Sequence, residues 1–74
     1  MKAEIKRGFL ICGNKCACLS CLESVSKVKD KIVLYYWFQP VNEEKHHEDL
    51  VFDYEEKLYN DLESLVDICN RRYK

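Results

Sequence analysis

Seven consecutive apolar residues, Ile32-Val33-Leu34-Tyr35-Tyr36-Trp37-Phe38, are β-branched or aromatic at almost every position. Side chains of this kind pack well on a pleated surface, so the run reads as a β-strand. Being apolar on both faces, it belongs in the middle of a sheet with cover on each side. Gln39-Pro40 ends it, because the residue before proline is pushed to extended geometry and proline donates no ladder hydrogen bond. One face carries Ile32, Leu34, Tyr36 and Phe38, and the other carries Val33, Tyr35 and Trp37. The first set is the greasier and is expected to meet the rest of the fold, which leaves Tyr35 and Trp37 as candidates for an exposed face.

The cover has to come from a short chain. The 74 residues leave room for a single domain, 1–74, and a chain of this size buries only about 60% of the surface its unfolded form exposes. A deep catalytic cleft is hard to build on that scale. The apolar fraction of 47% and charged fraction of 34% are those of a folded domain rather than a disordered one.

Periodicity supplies the remaining elements. Ile5, Phe9 and Ile11 fall at even spacing with Leu10 and Cys12 opposite, which predicts a first strand from Ile5 to Cys12. Gly13-Asn14 then breaks it, either as a two-residue hairpin loop or as a strand-to-helix turn with Asn14 as N-cap. Cys18, Cys21, Leu22, Val25 and Val28 follow the i, i+3, i+4, i+7, i+10 template and favour the second, with a helix over 15–27. After a polar stretch over 41–49, Leu50, Phe52 and Tyr54 alternate as a short third strand would. Leu58, Leu62, Leu65 and Cys69, flanked by Val66 and Tyr73, then mark a long amphipathic helix. Asp53 and Glu56 have capping-box spacing, and Asn70-Arg71-Arg72 places positive charge where the helix dipole favours it. The expected fold is α+β, a two- or three-stranded sheet packed against two amphipathic helices in the order β-α-β-(β)-α.

Four of the five cysteines, Cys12, Cys16, Cys18 and Cys21, crowd into ten residues. They admit three readings. A zinc ion held by these four thiols would staple a marginal core, and Cys18-x2-Cys21 has a spacing found in such sites. Zinc domains, however, usually separate two ligand pairs by a dozen or more residues. His46 and His47, beside Glu48 and Asp49, read as a solvated loop. Thiol chemistry is the second reading, for Cys16 in a first helical turn would have its pKa lowered by the dipole. The third takes Cys18, Cys21 and Cys69 as small apolar residues on buried stripes, with Cys12 and Cys16 partly exposed and without a role.

The string Phe9-Leu10-Ile11-Cys12-Gly13-Asn14-Lys15-Cys16 resembles the strand-to-loop start of low-molecular-weight tyrosine phosphatases and of cysteine-phosphorylated sugar-transport domains. The resemblance covers under a fifth of the chain and implies a thiol nucleophile at Cys12. Six residues further on, where the phosphatase loop carries arginine, stands Cys18, and the phosphate-cradling Gly and Ser residues are missing too. The family is therefore not assigned.

Net charge is −1 but unevenly divided: residues 1–38 hold seven Lys or Arg against three acids, and residues 39–74 hold five against ten. Lys27, Lys29 and Lys31 beside the aromatic strand suggest phosphate contacts, yet binders of nucleic acid usually show a clear basic excess. No window reaches the length of a membrane span and no secretory leader is visible, so a cytoplasmic location is expected, the host cytosol if a phage or mobile element encodes the chain. No catalytic set stands out and no cofactor is implied apart from zinc under the first reading. The chain therefore reads as a small protein-binding regulator or inhibitor, with self-association as a homodimer a further expectation. Its contacts would come from Tyr35 and Trp37 together with Glu55, Glu56 and Glu63 of the acidic helix.

Overall fold

The computed structural model describes residues 2–72. Six strands precede one helix: β1 (Glu4–Lys6), β2 (Phe9–Cys12), β3 (Lys15–Cys18), β4 (Leu22–Val28), β5 (Lys31–Phe38), β6 (His46–Asp53) and α1 (Glu56–Arg72). The strands form two antiparallel three-stranded meanders, β1-β2-β3 and β4-β5-β6. The expected sheet with two helices is thereby corrected: the fold is mostly β, and its only helix among the described residues is the C-terminal one. Tyr73 lies outside the described residues.

Turn chemistry explains the first sheet. The expected single strand from Ile5 to Cys12 is folded into a hairpin at Arg7-Gly8, both with positive φ, 52° and 83°. Right-handed strand twist favours two-residue loops of this mirror-image kind. Gly13, at φ 62°, makes the next two-residue loop with Asn14, and Cys12 pairs directly with Lys15. Gly13-Asn14 is thus the hairpin, not the entry to a helix.

The predicted helix over 15–27 is strand, turn and strand. Its apparent helical spacing has a physical origin in β4. Leu22 pairs with Tyr36 and Ser24 with Tyr35, so Glu23 is an extra, bulged residue. A regular strand returns to the same face after two positions. The bulge stretches one of those steps to three, so Leu22 and Val25 share the core face with Tyr36 and Leu34, at a spacing otherwise typical of a helix.

Within the second sheet the faces of β5 divide as its sequence suggests. Ile32, Leu34 and Tyr36 are buried, with Leu50 and Phe52 of β6 beside them. Phe38, at the strand's end, stays partly exposed. Cover comes from Leu10, Cys12 and Ala17 of the first sheet and from Leu58, Leu62, Val66 and Cys69 of α1, which join one buried cluster. Full burial of a Leu or Phe side chain contributes about 1.5–3 kcal/mol relative to exposure. Leu10, Ile32, Leu34, Phe52 and Leu62, all buried to within 2%, are therefore the main anchors.

The helix stripe matches the sequence reading, but its start does not. Asp53 ends β6 and pairs with Lys31 rather than capping α1. Residue 55 takes the N-cap position, its carbonyl accepting the Tyr59 N–H at 2.9 Å. The stretch over 41–49, expected as loop, contributes the first half of β6 from His46 onward. Among the described residues no helix is long and apolar enough to cross a membrane.

Candidate functional site

The outer face of the second sheet is built row by row from its register. Ser26, Val33 and Val51 form one row, Ser24, Tyr35 and Asp49 the next, and Trp37 with His47 the last. The helix and the first sheet contribute their buried residues to the opposite side. Val51 keeps 51% and Tyr35 38% of its surface exposed, while Val33 and Trp37 are half-buried. Tyr35 and Trp37, singled out from sequence, thus lie on one outward face.

Neighbours hold these rings in place. The Tyr35 ring stacks on His47 with centroids 5.1 Å apart. His47 Nε2 is 3.2 Å from Oε1 of Glu23, the bulged residue of β4. Lys45 Nζ sits 4.2 Å from the Trp37 ring centroid, a cation–π contact. Beside Trp37 a recess is lined by Leu22, Glu23, Lys45, Asp67 and Asn70. Nothing in the sequence places Glu23, Lys45 and His47 beside these rings. Lys45 and His47 lay in a stretch read as loop, and the position of Glu23 depends on the bulge.

The acidic residues are only partly drawn into this face. Glu56, Glu63 and Asp67 recur at i, i+7 and i+11, so they share one solvent stripe of α1, and Asp67 reaches the Trp37 recess. Glu55 and Glu56 stand at the other end of the helix, roughly 17 Å from Asp67 at 1.5 Å per residue. Glu55 there lines a second recess with Ala3, Glu4 and Ile5. Basic neighbours also offset the helix's charge, Lys57 to Asp61 at 3.2 Å and Arg71 to Asp67 at 2.8 Å. Tyr35, Trp37, Glu55, Glu56 and Glu63 therefore do not form a single patch.

Three of the four clustered cysteines are divided between two faces of the first sheet, and Cys21 lies in the turn that follows it. Cys12, expected to be partly exposed, points into the core and is buried beside Leu10 and Ala17, whereas Cys16 and Cys18 project from the other face of β3, with Cys16 exposed. The structure does not bring Cys12, Cys16, Cys18 and Cys21 into one ligand shell. Among the described residues no group of three or more His, Cys, Asp or Glu is arranged to hold a metal ion. Cys16, expected in a first helical turn, lies instead within strand β3. The segment after Cys12 turns back as a strand, so the phosphatase-like beginning leads into no phosphate loop.

Cys18 and Cys21, expected on a buried helical stripe, instead bracket the turn between β3 and β4. The Cys21 N–H donates to the Cys18 carbonyl at 3.0 Å, and the Leu19 N–H donates to Gly8 at 3.0 Å. The Ser20 hydroxyl lies between the thiols, 3.0 Å from Cys18 Sγ and 3.9 Å from Cys21 Sγ. That hydroxyl, against some desolvation, pulls the Cys18 thiol below its ordinary value. Burial pushes Cys21 up, opposed by Ser20 and reinforced by Cys18. Cys69 is buried in the α1 stripe as its spacing suggests, and its thiol donates to the Leu19 carbonyl at 3.3 Å. Compared with known proteins, the chain matches no family model, no curated sequence and no solved structure.

Proposed function

We propose that this chain is a small protein-binding module, a regulator or inhibitor of another protein, that docks through the outer face of β4-β5-β6. One observation carries the reading: Val33, Tyr35, Trp37 and Val51 lie together on a sheet face on which Tyr35 and Val51 stay exposed. Large rings of this type are enriched among interface residues that dominate affinity. Tyr35 is already stacked and Trp37 already covered by Lys45, so docking would order few further rotamers. The rim offers both charge signs, Lys45 against Asp49 and Asp67. The partner that fits is a protein surface with an apolar centre and polar margins.

A photo-crosslinking side chain in place of Ser24, which points outward beside Tyr35, tests this in the native host. The expected result is a discrete adduct that disappears when Val51→Lys is added and is absent when the probe replaces Asn60 on the helix. An adduct with a second copy of the chain would make self-association the docking event. Adducts indifferent to Val51→Lys would remove the proposed face.

A further inference from the structure

We infer that Cys18 and Cys21 form a reversible dithiol site, which low-molecular-weight disulfides of the glutathione class convert to an intramolecular Cys18–Cys21 disulfide. The inference goes beyond the docking face and rests on the β3–β4 turn alone.

Geometry carries it. The Cys21 N–H to Cys18 carbonyl bond closes a four-residue turn with Leu19 and Ser20 at its centre. Such a turn holds its end Cα atoms within about 7 Å, close to the range of roughly 4.4–6.8 Å that a disulfide spans. The Ser20 hydroxyl touches both sulfurs, so they lie no further apart than its two contact distances together. Both thiols are partly accessible, unlike Cys12 and Cys69, which are buried. Cys16 sits two residues from Cys18 along the same strand, where no turn brings the backbone round.

The turn is held in place independently of the Cys18 and Cys21 thiols. Leu19 N–H donates to Gly8, the Leu19 carbonyl accepts from Cys69, and the Cys21 carbonyl accepts the Trp37 N–H at 3.0 Å. The two thiols are also unequal: Ser20 favours the Cys18 thiolate, while burial disfavours that of Cys21. That asymmetry assigns the order of events. The Cys18 thiolate attacks one sulfur of the small disulfide, forming a mixed disulfide and expelling one thiolate. Cys21, giving up its proton, then attacks the Cys18 sulfur and expels the second thiolate. Two protein thiols and one small disulfide become one protein disulfide and two small thiols, with two electrons passing to the small molecule.

The test incubates the folded protein with mixtures of reduced and oxidised glutathione, blocks free thiols with an alkylating reagent, and maps the products by peptide mass. A Cys16→Ser background avoids ambiguity within the segment. The expected product is a Cys18–Cys21 bridge that follows the glutathione ratio as a two-electron couple and reverses with reductant. Cys21→Ser should instead accumulate one glutathione on Cys18, and Cys18→Ser should lose the bridge altogether. Bridges to Cys69, disulfide-linked dimers in place of the bridge, or no reaction at either thiol while the protein stays folded would each overturn the assignment.

Discussion

The Tyr35 ring lies against His47 with their planes only 11° from parallel. The two are not directly paired: Tyr35 faces Asp49 across the ladder, and His47 faces Trp37. The stack is a diagonal contact, within reach of aromatic side chains in an antiparallel pair. Because His47 also meets Glu23, a line of contacts from Glu23 through His47 to Tyr35 links all three strands of the second sheet.

A double-mutant cycle measures that stack. Tyr35→Leu and His47→Ala, separately and together, should show a coupling of about 0.5–1 kcal/mol in urea unfolding. Trp37 is the only tryptophan and provides the fluorescence signal. Additive single effects would mean that the rings touch without stabilising the sheet.

Lys31 and Asp53 pair directly across β5 and β6 and hydrogen-bond to one another. The Lys31 ammonium holds the Asp53 carboxyl down at about 2, against roughly 3.9 for a free aspartate. A depressed folded pKa gives stability that is present above the unfolded value and is lost as pH falls through the folded one. The wild type should therefore lose stability between about pH 4 and pH 2, and Asp53→Asn should lose less over that window. Denaturant melts at stepped pH provide the comparison, and parallel curves for the two proteins would count against this pairing in solution.

Tyr36 is buried in the core, yet its hydroxyl donates to Glu48 Oε2 at 3.1 Å. Burial, then Glu48, raises its pKa, so its contribution should hold below about pH 10 and fade as pH rises through the folded value. Tyr36→Phe keeps the ring and removes the bond, at an expected cost of about 1–2 kcal/mol near neutral pH. The variant should also lose less stability than wild type on alkaline titration. A variant as stable as wild type with an unchanged alkaline limb would show the bond to be dispensable.

Which elements could be read in advance follows from what sets each one. The strand through Ile32–Phe38 and the helix stripe are dictated by side-chain type over several turns or pleats, and both stand in the structure, with Leu58, Leu62 and Cys69 buried as expected and Val66 buried more fully than Leu65. Elements set by a single residue were not legible. Arg7, at φ 52°, turns one expected strand into a hairpin although arginine is no turn former. At Gly13-Asn14 the turn chemistry allowed a hairpin, but the spacing of Cys18 to Val28 outweighed it. Tyr35 and Trp37 could be placed on one face from alternation alone, while their companions Glu23, Lys45 and His47 depend on how strands pair. The thiols show the same limit: Cys12, Cys16, Cys18 and Cys21 are close in sequence, but strand alternation parts them and only the turn rejoins Cys18 to Cys21.

The bulge at Glu23 yields the sharpest test of the fold. Leu22 and Ser24 already face consecutive residues of β5, Tyr36 and Tyr35. Deleting Glu23 would join them in a regular ladder without moving Leu22 or Val25 off the core face. A helix over the same residues would respond differently, since one deletion rotates everything beyond it by about 100°. The deletion variant should fold with native-like β content. Its stability should lie within about 1 kcal/mol of wild type, the order expected for losing the partly exposed Glu23–His47 contact and gaining regular pairing. Circular dichroism and urea melts decide it. An unfolded deletion variant, alongside a folded Glu23→Ala control, would show that the extra residue is required by the β3–β4 turn and not merely accommodated by the ladder.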